Sequence, residues 1–130
     1  MSPSPLPKEI WTFAGYATPE ASFQTMVWAM SQGDSQTFLA GLAPAERARM
    51  EKSWQNKSAE QIGEEGRREM QKVSGFRILE RRQIADDQVA LTTFASGKGD
   101  TVEMLLQRIG TEWKLAGKAG RRPVAAQSRR

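Results

Sequence analysis

The 130-residue chain contains no cysteine and no histidine. The first absence excludes disulfides, iron–sulfur ligation and thiol nucleophiles; the second removes the commonest general base and the commonest metal ligand. Without cysteine the chain is compatible with a reducing or an oxidising compartment. No apolar run reaches the ~18 residues of a membrane span, and residues 1–8 lack the basic start and apolar centre of a signal peptide. As given, the chain is expected to be soluble, with no address that assigns a compartment. It also reads as a possible segment of a longer protein, because Ser2-Pro3-Ser4-Pro5-Leu6-Pro7 has the composition of an extended linker.

Acidic residues are missing from the last ten positions, where Arg121, Arg122, Arg129 and Arg130 lie. The formal charge is +4, with 19 basic and 15 acidic residues; setting those four arginines aside leaves 15 against 15 over residues 1–120. The basicity therefore belongs to a tail. It is expected to bind anions weakly and nonspecifically through counterion release, since no aromatic is interleaved with its arginines. A chain of this length accommodates one domain that buries roughly two thirds of its unfolded surface. The organisation expected is a flexible segment over 1–10, a single domain over 11–118 and a disordered basic tail over 119–130.

What is present begins with a complete helix. Thr18 is a side-chain cap, Pro19 presets φ at the first helical position, and Glu20 sits at the positive end of the helix dipole. Phe23, Met26, Val27 and Met30 recur at i, i+3, i+4 and i+7, and Gly33 is placed to end the helix in a left-handed conformation. Asp34 then caps a short helix with Phe38, Leu39 and Leu42, and Pro44 opens a third, charged helix with Met50 and Trp54 as a narrow apolar seam. Ser58 and Gln61 form a capping box for a fourth segment, which Gly63 and Gly66 weaken by about 1 kcal/mol each relative to Ala. Ahead of these helices, Trp11, Phe13 and Tyr16 carry enough apolar surface to dock on the domain.

From Gly75 the period changes to two. Phe76, Ile78 and Ile84 share a parity; Val89, Leu91, Thr93 and Ala95 alternate with Ala90, Thr92 and Phe94; Val102, Met104 and Leu106 follow, then Trp113 to Ala116. Turn signals at Asp86-Asp87, Gly97 to Asp100 and Gly110 to Glu112 separate the runs, so four strands are expected to form an antiparallel meander. The fold class predicted is α+β, with helices packed on a curved four-stranded sheet. Phe23, Val27, Met30, Leu91, Trp113 and Leu115 are the expected shared core.

That order resembles the nuclear transport factor 2-like superfamily, the cystatin-like cone fold shared with ketosteroid isomerase and the SnoaL-like cyclases. The residues that carry it are Thr18-Pro19-Glu20-Ala21, the Gly33-Asp34 break before Phe38 and Leu39, and the closing Gly110-Thr111-Glu112-Trp113-Lys114-Leu115, over residues 14–117. The stretch from Trp11 to Glu20 also resembles the start of small bacterial modules of this type. The resemblance implies a pocket between the first helix and the concave sheet, in which enzymatic members hold an Asp, often with His or Tyr. This chain departs from that pattern: it has no His, Asp34 reads as a cap, and Asp86, Asp87 and Asp100 read as turn residues, where a carboxylate facing water is a poor base for a carbon-bound proton.

Candidate sites follow from the same residues. Trp28 lies off the apolar stripe of its helix and either packs on the Trp11 and Phe13 arm or the third helix, or forms the wall of a ligand pocket or an oligomer contact. Tyr16 either anchors a loop or donates into a pocket mouth, and Phe94 is the third pocket candidate. Met26, Met30, Met50, Met70 and Met104 read as core filler or as a plastic binding surface. Arg77, Arg82 and Arg108 are the candidate anion site on the sheet, although Glu80, Glu103 and Glu112 are interspersed. No metal site and no cofactor are expected: Asp86-Asp87 offers too few oxygens for Ca²⁺, and Gly97-Lys98-Gly99 does not open a helix. The reading is a noncatalytic binding or interaction module, with a homodimer through the sheet and a small apolar ligand as expected partners. The alternatives are a SnoaL-like or ketosteroid isomerase-like enzyme on a small apolar substrate, and a nucleic-acid-binding accessory domain.

Overall fold

The computed structural model describes the backbone of residues 4–120 and the side chains of residues 7–117. Four helices, α1 (Pro19–Gln32), α2 (Ser35–Ala40), α3 (Pro44–Ser53) and α4 (Ala59–Gln71), precede the main run of strands. Those strands are β2 (Gly75–Ala85), β3 (Gln88–Ser96), β4 (Asp100–Ile109) and β5 (Glu112–Gly120), and a short β1 (Ser4–Pro7) begins the chain. The fold is α+β, and the sheet is antiparallel in the order β1-β2-β3-β4-β5.

The helix signals act as their chemistry dictates. The Thr18 hydroxyl accepts the Ala21 N–H at 3.0 Å, Gly33 ends α1 at φ 70°, and the Asp34 carboxylate accepts the Thr37 N–H at 3.1 Å to start α2. Ser58 and Gln61 close the capping box of α4, with reciprocal bonds of 3.1 and 2.9 Å. On α1, Phe23 and Val27 are buried against the sheet, where each contributes about 1.5–3 kcal/mol by leaving water. The flank of α1 beside them is polar and equally buried. Ser22 donates to the Trp113 carbonyl at 2.6 Å, and Thr25 donates to Gly15 while accepting from Ala14. These bonds tie α1 both to β5 and to the arm that precedes it.

On β3, Val89, Leu91, Thr93 and Ala95 face the helices and are buried. Leu91, Trp113 and Leu115 join Phe23 and Val27 in the core as expected; Met30 instead packs at the core margin, partly buried. A bulge between Ile78 and Glu80 resets the parity of β2. Ile78 therefore faces the core while Ile84, expected on the same face, is 46% exposed near the end of the strand.

Both sheet edges are managed. Residues 4–10, expected to be flexible, include an edge strand: Pro7 pairs with Gly75 and Ser4 with Ile78. Prolines at positions 5 and 7 lack the N–H that would recruit a further strand. After the 3-10 turn of Lys8–Ile10, Trp11 is buried with its ring centroid 5.7 Å from that of Phe76. At the opposite edge, the Trp113 N–H reaches the Tyr16 carbonyl, the Leu115 N–H reaches Gly41, and the Leu115 carbonyl accepts from Ala43, each at 2.8 Å.

Candidate functional site

Between the four helices and the side of the sheet that faces them lies a cavity of about 740 Å³. That is within the ~300–1,000 Å³ typical of small-molecule sites. Helix α1 supplies Met26, Val27 and Met30, α2 supplies Phe38, α3 supplies Met50 and Trp54, and α4 supplies Met70; Phe76, Val102, Met104 and Leu115 form the sheet side. Every methionine among the described residues lines this one space. Five thioethers from four different elements give it walls that can change rotamer without leaving apolar contact.

On one side of the cavity the helices α1 and α4 are drawn together. Gly63 and Gly66 let α4 approach α1 closely: a Cβ on Gly63 would stand 2.7 Å from the Gly33 carbonyl oxygen, and one on Gly66 would stand 3.2 Å from that of Met30. Their cost to helix propensity is thus offset by backbone contact. On α3 the positions 46, 50 and 54 recur one turn apart, so Glu46 shares the cavity-facing seam with Met50 and Trp54. Trp54 in turn packs on Phe38, with ring centroids 5.8 Å apart.

Each carboxylate of the lining has an assignable partner or position. Glu46 is buried and accepts a two-point bond from Arg49, 3.2 Å to Nε and 2.5 Å to Nη2. Glu69 lies 3.4 Å from Lys98, whose charge is the main cause that holds its carboxyl below the usual range. Lys98 is also 3.8 Å from Asp100. Glu65 pairs with Lys57 at 2.9 Å. Asp34 accepts from both the Thr37 N–H and the Thr37 hydroxyl, and these two bonds, the hydroxyl first, lower its pKa. Asp86 and Asp87 occupy the β2–β3 turn and do not line the cavity.

The pocket candidates named from the sequence lie elsewhere. Tyr16 and Trp28 flank Phe13, with centroid distances of 5.9 and 6.2 Å and nearly perpendicular rings, and this cluster pins the N-terminal arm to the outside of α1. Phe13 itself remains 53% exposed. The Tyr16 ring lies 4.4 Å from the Lys114 ammonium; burial first, then the Glu112 and Asp34 carboxylates, raise its phenol pKa. Phe94 is on the sheet face away from the helices, opposite Arg77. None of Tyr16, Trp28 and Phe94 lines the cavity.

The arginines are not brought together either. Arg77 and Arg82 share the outer face of β2, where Arg82 is paired with Glu103 at 2.8 Å. Arg108 has the opposite parity on β4 and stacks 5.8 Å from the Trp113 ring. Arg81, on the inner side of the β2 bulge, bridges to Glu20 of α1 at 2.9 Å. The four arginines of the basic tail lie outside the described residues. Among the described residues no group of three His, Cys, Asp or Glu side chains is placed to hold a metal, and no helix is long and apolar enough to cross a membrane.

The apolar seam expected on α3 from the sequence, Met50 and Trp54, left out Glu46, which shares it. Its i−4 spacing from Met50 was the available signal. No family model matches the chain, and no curated protein or solved structure shows significant similarity to it.

Proposed function

We propose that this chain is a noncatalytic binding module of the nuclear transport factor 2-like type, and that its cavity takes a small apolar ligand. The observation that carries the reading is the methionine-lined cavity of about 740 Å³, whose walls are supplied by α1 to α4 and by the sheet. An adaptable apolar lining suits ligands that differ in shape.

The competing reading, a SnoaL-like or ketosteroid isomerase-like enzyme, requires a buried carboxylate free to take a carbon-bound proton. Glu46 is the buried carboxylate of the lining, and a bidentate guanidinium occupies both of its oxygens. Asp34 is a stronger acid than usual, hence a weaker base. The nucleic-acid reading loses its folded site, because Arg77, Arg82 and Arg108 divide between two faces of the sheet.

The test uses N-phenyl-1-naphthylamine, a neutral apolar dye that brightens on leaving water. Saturable binding is expected in the wild-type protein. Val102→Trp, which places a β-compatible side chain into the cavity, should abolish that binding while the thermal midpoint holds or rises. No saturable binding to the wild type, or binding unchanged in a folded Val102→Trp protein, would contradict the assignment.

A further inference from the structure

The charges around the cavity restrict what kind of apolar molecule enters it. Although the chain carries a formal charge of +4, the lining contains the acids Asp34, Glu46, Glu65, Glu69 and Asp100 against the bases Arg49 and Lys98. Arg49 answers Glu46, while Lys98 is shared between Glu69 and Asp100. From just outside the lining, Lys57 answers Glu65 and Lys72 stands 3.5 Å from Glu69. Counting both lysines, the balance is still acidic by one.

Asp34 accounts for that excess. Its oxygens accept from the Thr37 hydroxyl and N–H and from the Gln36 N–H, and a carboxylate has about four acceptor positions, so capping α2 leaves capacity for another donor. Among the described residues it forms no ion pair. Phe38, one turn further along α2, and Trp54 place aromatic rings on the same wall, and such rings attract cations through their faces. An anionic head here would meet an uncompensated carboxylate.

We propose that the cavity, taken as the ligand site argued above, selects lipophilic cations: amines or quaternary ammonium compounds with a hydrocarbon or aromatic body. The hydrocarbon part lies against the methionines, and the cationic head is held at the Asp34 and Phe38 end.

Displacement of bound N-phenyl-1-naphthylamine by decyltrimethylammonium, 1-decanol and decanoate, each below its micellar concentration, separates the two claims. The ammonium compound should displace the dye at a concentration about tenfold lower than decanoate, with the alcohol between them. In Asp34→Asn, whose amide oxygen still caps α2, that ratio should fall to about threefold or less. Equal displacement by all three chains, or a ratio unchanged in a folded Asp34→Asn protein, overturns the cation selectivity and leaves the apolar site standing. Failure of the dye itself to bind removes both.

Discussion

Gly63 on α4 sits against the backbone of Gly33 at the end of α1, so close that a Cβ at Gly63 would come within 2.7 Å of the Gly33 carbonyl oxygen. The obstacle is main chain on both sides, and neither helix can yield by a rotamer change. Gly63→Ala should therefore destabilise the protein by about 1–3 kcal/mol despite the gain of roughly 1 kcal/mol in helix propensity. Gly66→Ala meets its neighbour at 3.2 Å, a contact that a small shift relieves, and should stay within about 1 kcal/mol of wild type. Urea unfolding of the two variants checks the contrast; equal effects would contradict the role given to Gly63.

Val27 is 1% exposed and belongs to the cluster that joins α1 to the sheet. Val27→Asp would bury a carboxylate with no cationic partner, a cost of several kcal/mol against a total stability of about 5–15 kcal/mol. Loss of the cooperative thermal transition is expected. A transition that survives with its midpoint unchanged would show that this stripe does not pack on the sheet.

Asp34 links stability to acid. Its carboxyl is held below the ordinary value of 3.8 by the Thr37 hydroxyl and then the Thr37 N–H. The folded protein thus binds that proton more weakly than the unfolded chain. The contribution is fully present above about pH 4 and is lost as pH falls through the lowered folded value. The difference in thermal midpoint between wild type and Asp34→Asn should accordingly be largest near neutrality and shrink below pH ~4. A difference independent of pH would place the stabilisation of α2 elsewhere.

The parts of this fold that were legible in the sequence are those written in local chemistry. Thr18, Asp34 and the Ser58 and Gln61 pair each satisfy free N–H groups within three residues, so their patterns survive reading in one dimension. The turns at Asp86-Asp87 and at Gly97 to Asp100 are equally local. Edge strand β1 was hidden because prolines at positions 5 and 7 argue against a strand, and only pairing with β2 supplies its partner. The bulge at Leu79 carries no marked residue type, so the parity of Ile84 was misread. The methionines were recognised, but a cavity is a missing volume, and no residue pattern encodes what is left unfilled between four helices and a sheet.

The most direct test of the cavity as a ligand site is methyl NMR on protein labelled with 13C at the methionine Cε positions, titrated with N-phenyl-1-naphthylamine. Met26, Met30, Met50, Met70 and Met104 reach one space from four different elements. The account predicts that the methyl resonances of these five methionines shift along one saturation curve. Shifts confined to one or two methionines, or resonances that stay unmoved as the dye saturates, would contradict it.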